Sequence, residues 1–156
     1  MPMETSRIAD QLRRAFDGEA WHGPAVLEIL HGVTAADADA RPLPRGHNIW
    51  EIALHIAVWD DVARRRMAGK IVQPTPEEDW PPVADRTAGA WERTQAHLKR
   101  THEDLVRAVS DLPDARLEER VPGKEPSYNT LYYLLHGVVQ HELYHAGQIA
   151  LLKKAL

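Results

Sequence analysis

His141-Glu142-Leu143-Tyr144-His145 carries two imidazoles four residues apart on a segment of helical periodicity. On a helix such residues lie about 40° apart around the axis and about 6 Å apart along it, so both rings can turn toward one cation. Neutral imidazole suits zinc, nickel, iron and copper. The same letters match the His-Glu-x-x-His signature of zinc proteases, which requires a third ligand further on. Ala146 to Leu156 contain no His, Asp, Glu or Cys, so a third ligand has to come from upstream. His55, mid-helix between Leu54 and Ile56 in an apolar run, is the best candidate. An imidazole buried there costs desolvation unless it gains a partner. Three His ligands leave a coordination position open, the arrangement of catalytic zinc sites. The competing reading of each histidine is a hydrogen-bonded core residue.

Several neighbours have two readings. Gln148 shares the face of His141 and His145 and can hydrogen-bond a ligand imidazole, or it joins two helices. Glu51 and Trp59 flank His55 at four residues on either side. Glu51 lines the pocket or serves only as a helix cap, the reading we favour, and Trp59 lines the pocket or packs in the core. Glu142, turned about 100° from His141, is a general base or, as we favour, a surface carboxylate. Tyr144 reads as packing. Arg64-Arg65-Arg66 attracts an anionic cofactor or is a solvated helix end. The proline-rich loop around Trp80 covers the site mouth or packs on the helices. His136 faces off the site, His47 is solvated or lines the mouth, and His97 faces the core or the surface, the neighbours Lys99 and Arg100 pointing to the surface at least as much.

Four helical segments must position these groups. The first runs from about Glu4 to His31, interrupted by Gly18, Gly23 and Pro24, which predicts a kink or two pieces. Thr34 to Gly46 reads as a polar connection. The second helix starts at Asn48 as N-cap, with Glu51 in capping-box position, and ends near Met67 before Gly69. Lys70 to Ala84 holds four prolines and reads as a loop without helix. The third helix runs from Asp85 as N-cap to about Ser110, and Leu112 to Asn129 is a second loop. The fourth runs from about Thr130 to Lys154, capped by Asn129 or Ser127. No strand-like alternation is sustained. The expectation is an all-α chain forming one domain over residues 1–156, a four-helix bundle with helices of about 20 residues.

Composition narrows the function. The net charge of -4 argues against a broad nucleic-acid footprint, which needs a basic face, and leaves open a local positive pocket for an anionic substrate. The absence of cysteine excludes disulfides, Cys-based zinc sites and thiol nucleophiles. No apolar run approaches the roughly 18 residues of a membrane span, and the N-terminus lacks the apolar core of a secretory signal. The chain reads as cytoplasmic, with neither nucleic acid nor membrane as a partner.

His141-Glu-Leu-Tyr-His-Ala-Gly-Gln-Ile-Ala-Leu-Leu-Lys-Lys resembles the C-terminal signature of the DinB/YfiT-like metalloenzymes. His47-Asn-Ile-Trp-Glu-Ile-Ala-Leu-His-Ile-Ala-Val-Trp resembles their second-helix motif. Trp21-His22-Gly23-Pro24, Asp79-Trp80-Pro81 and Val121-Pro122-Gly123 are similar to stretches of one branch. The resemblance implies a four-helix bundle of DinB/YfiT type and one divalent metal ion held by His55, His141 and His145. Zinc or nickel comes first, with iron or manganese as alternatives. It also implies a homodimer and a small-molecule substrate. Some relatives are thiol transferases that use bacillithiol or mycothiol, so a low-molecular-weight thiol is a candidate cofactor. The resemblance implies neither a polymerase nor a DNA binder.

An open metal position can lower the pKa of bound water toward about 7, or take up a substrate thiol as thiolate. The first is hydrolysis and the second S-transfer. The alternative is a non-catalytic, stress-associated helical dimer in which the ion serves stability or the histidines never meet metal.

Overall fold

The computed structural model describes residues 3–125 and 129–156, and among them it is all-helical. Seven α-helices are present where four were expected. The long ones are α1 (Glu4–Phe16), α4 (Ile49–Met67), α6 (Ala88–Ser110) and α7 (Leu131–Lys154). Three short ones lie in the connections: α2 (Val26–Leu30), α3 (Ala35–Asp39) and α5 (Pro76–Asp79). No helix among the described residues is long and apolar enough to cross a membrane.

Local chemistry explains the boundaries. The first expected segment is indeed two pieces, broken through Gly18 and Gly23, both at positive φ, before α2 begins beyond Pro24. Asn48 caps α4: its side chain accepts from Glu51 N–H at 2.9 Å, and the Glu51 carboxylate accepts from Asn48 N–H at 3.2 Å. Gly69, at φ 81°, ends that helix in the left-handed conformation.

Four expectations are corrected. Thr87 rather than Asp85 caps α6, accepting from Ala90 N–H, while Asp85 accepts from Thr87 N–H, two residues further on. Thr130 caps α7 through Tyr133 N–H; Asn129 does not, and Ser127 lies outside the described residues. The proline-rich stretch does carry a helix, α5, because Pro76 sits at its first position, where a missing N–H costs nothing. The second loop contains a 3₁₀ turn, Asp114–Arg116. Its Asp114 carboxylate caps α1, accepting from Glu4 N–H at 2.8 Å and Thr5 N–H at 3.0 Å.

Two apolar clusters fill the interior. One gathers Phe16, Trp50, Ile56, Trp91, Leu98 and Ile149; the other gathers Ile8, Leu12, Met67, Leu105, Val109 and Leu135. Along α4 the first cluster ends at Ala57 and the second begins at Ala63. The same break falls between Leu98 and Leu105 on α6, and between Val138 and Ala146 on α7. Asp60, His102 and Glu142 occupy those gaps as a buried polar layer.

Trp50 holds α4 to α6 by donating its indole N–H to Thr94 Oγ1 at 2.9 Å in the core. Thr94→Val keeps the shape and removes the acceptor, so stability in urea should fall by about 1–3 kcal/mol with an unchanged m-value. An unaltered midpoint would contradict this role.

Candidate metal centre

α4 and α7 pack side by side and bring the three predicted histidines together. His141 Nε2 lies 3.0 Å from His55 Nε2 and 3.0 Å from His145 Nε2. The outer nitrogens explain why these atoms converge. His55 Nδ1 donates to the Asp79 carbonyl at 2.8 Å, with Asp79 Oδ1 at 3.1 Å. His145 Nδ1 donates to Gln148 Oε1 at 2.7 Å. A proton fixed on Nδ1 leaves Nε2 bare, so the lone pairs of His55 and His145 point at a common region. His141 Nδ1 is buried without a hydrogen-bond partner and departs from this pattern.

α4 and the loop after it supply the aromatic part of the wall. Trp80 lies flat between His47 and His55, at ring centroid distances of 3.5 and 3.8 Å. Trp59 donates its indole N–H to Asp79 Oδ1 at 2.7 Å. A cavity of about 550 Å³ opens beside the three rings, lined by Trp59 and Trp80 among others. A larger one, about 850 Å³, is lined by other residues of α4, with Gln73, Glu78 and His97, and does not include the trio.

Burial dominates the electrostatics. It lowers the pKa of His55 and of His145. His141 is lowered to about 3, by burial first and then by the other two imidazoles. All three rings are therefore neutral near pH 7, the state in which imidazole binds metal.

Other expected roles sort differently. Gln148 meets a trio imidazole, and Trp59 lines the cavity. Glu51 does not line it; besides capping α4 it pairs with His47 and Arg41. Tyr144 is exposed and borders the cavity rather than packing in the core. Of the arginine run, only Arg66 enters the cavity wall, while Arg64 and Arg65 pair with Asp61.

Glu142 is neither a surface carboxylate nor a base facing the cavity. It is fully buried, and His102 Nδ1 lies 2.9 Å from its Oε1. Asp60 Oδ2 is 3.5 Å from the same nitrogen. Burial raises the pKa of both carboxyls. Burial alone would lower His102, but the hydrogen bonds and charges of Asp60 and Glu142 outweigh it and lift that pKa to about 9. Sequence reasoning assigned nothing to Asp60 or His102. The available signal was their place on apolar stripes: Asp60 among Ile56, Ala57 and Ala63, and His102 between Leu98 and Leu105.

The trio fits a divalent ion. Nitrogens about 2.1 Å from a shared ion stand about 3–3.4 Å apart. Two bare lone pairs facing a third imidazole leave an electron-rich region that one proton satisfies only in part. The donor set is uniformly imidazole nitrogen, which suits zinc, copper, iron and nickel alike.

No curated protein and no solved structure matches the chain. The sequence model described as the DinB superfamily matches residues 20–149, a stretch that contains all three histidines and both walls of the cavity. The chain belongs to the DinB superfamily.

Proposed function

We propose that this protein is a metal-dependent enzyme, a transferase or hydrolase acting on a small molecule. In this reading one divalent ion, zinc or nickel, is held by His55, His141 and His145 on a DinB-type four-helix scaffold. The observation that carries it is the convergence of three neutral imidazole nitrogens at one edge of a cavity large enough for a substrate. A bound divalent ion would supply Lewis acidity to a group in its remaining position. The chain's own residues do the rest. Asp79 and Gln148 hold the Nδ1 protons and so orient the rings. Trp80, stacked on His55, and Trp59, edge-on to it, give that edge aromatic walls. The polar layer under Glu142 keeps α7 in register with α4 and α6. A cavity open beside the trio favours catalysis over a purely structural ion, which would be enclosed by four protein ligands.

Untagged protein should carry close to one divalent ion per chain by elemental analysis, and His55→Ala should lose it. Gln148→Ala should bind the metal about 10–100-fold more weakly. Turnover of an electrophilic substrate panel, run with and without a low-molecular-weight thiol, should vanish on chelation. Metal content unchanged in His55→Ala would rule out the trio.

The lowered pKa of His141 sets a pH signature for metal-free protein. Between about 3 and 6.5 the native state binds fewer protons there than the unfolded chain, so this contribution to stability is complete above 6.5 and erodes as pH falls. Asp60 and Glu142, whose pKa values are raised, lean the opposite way, so the comparison must be between variants. The stability of wild type minus that of His141→Gln should drop from about pH 7 to about pH 5 in urea melts. A constant difference would contradict the burial argument.

A further inference from the structure

The cavity beside the trio carries more positive charge than its own walls neutralise. Arg66, in the last turn of α4, is 5% exposed. Its Nε and Nη2 donate to the Val72 carbonyl at 3.2 and 2.8 Å, and its guanidinium carbon lies 5.3 Å from the centre of the Trp59 ring. Lys124, from the loop before α7, lines the same cavity. Among the described residues neither cation has a carboxylate at ion-pair distance, although a buried guanidinium ordinarily has one. Burial first, and then the Arg66 charge, hold the Lys124 ammonium below its ordinary pKa, so each cation lies in the other's field. The one carboxylate among the described lining residues, Asp79, is already engaged by His55 and Trp59.

Two cations against one committed carboxylate make this wall net positive in a chain whose overall charge is -4. The larger cavity is the reverse, with Asp61, Glu77 and Glu78 against Arg65. Of these two cavities only the one beside the trio has a net positive lining, and an ion bound there would add to it. Leu134, Val138 and the Trp59 ring supply apolar wall in the same cavity.

We propose that Arg66 and Lys124 form an anion subsite. The ligand of this cavity is then a small organic anion: its carboxylate or phosphate lies against the two cations, its middle is apolar, and its reacting part reaches the trio. A guanidinium with N–H groups left over after Val72 is suited to such an oxyanion, and the ammonium beside it adds a second charge. This deepens the proposed function by naming its substrate class, and it is tested on metal-free protein so that the two fail separately.

Metal-free, untagged protein at about pH 8, where the three trio imidazoles are neutral, is titrated with inorganic phosphate and, separately, with glutarate. The readout is the Arg66 Nε–H signal in ¹H–¹⁵N spectra. Saturable shifts are expected with at least one probe, weakened by added salt. Whichever binds tighter tells a phosphate ligand from a carboxylate one. Lys124→Gln should weaken binding about tenfold, the scale of one charge-assisted contact. Arg66→Lys should retain more affinity than Arg66→Gln. Should both Arg66 variants misfold for want of the Val72 contact, Lys124→Gln and the wild-type titrations still decide. No shift with either probe, or equal affinity in Lys124→Gln and wild type, overturns the subsite. Metal content on the same preparation reports on the trio alone: metal without anion binding removes only the subsite, and anion binding without metal removes only the metal reading.

Discussion

Three imidazole nitrogens, with His141 Nε2 about 3 Å from each of the other two, crowd their lone pairs together unless something positive lies between them. One proton can bridge one pair and leaves the third lone pair facing another. Around this constraint the rest of the site arranges itself. The Asp79 carbonyl and Gln148 each take an outward N–H, which commits the inward nitrogens to accept. Burial keeps the rings neutral. The stacked Trp80 fixes the plane of the His55 ring, and a short helix capped by Thr75 delivers both Asp79 and Trp80 to that spot.

Such convergence demands a rigid frame, since half a turn of error in α7 would turn two of the three rings away. The frame is made of two apolar clusters with a polar layer between them. Apolar packing tolerates sliding by similar residues, whereas a buried imidazole between two carboxylates does not. Asp60, His102 and Glu142 join α4, α6 and α7 at one level. Glu142 sits one residue beyond His141 and three before His145, so the register it fixes is the register of the ligands. Phe16 stacks on His102 at 3.9 Å and brings α1 to the same level.

The trio was legible because helical geometry is local: a four-residue spacing puts two rings on one face, and a lone His in an apolar run needs a partner. The four long helices were legible from the same periodicity. Glu142 was misread because its position was judged only against the face of His141. α7 contacts both α4 and α1 and meets α6 through Glu142, so a residue turned about 100° from one buried face still points inward. α5 was missed because proline was counted as a breaker without regard to its position in the helix. Arg66 and Lys124 reach the cavity from a helix end and a loop, where side-chain direction depends on tertiary packing and leaves no periodic trace. Their chemistry is in the sequence; their meeting place is not.

The most direct test of the account is X-ray absorption at the metal edge of protein loaded with one equivalent of zinc or nickel. Three nitrogen ligands at about 2.0–2.1 Å with the multiple-scattering pattern of imidazole are expected, falling to two in His55→Ala. A first shell of oxygen alone, or an imidazole count that His55→Ala leaves unchanged, would contradict it.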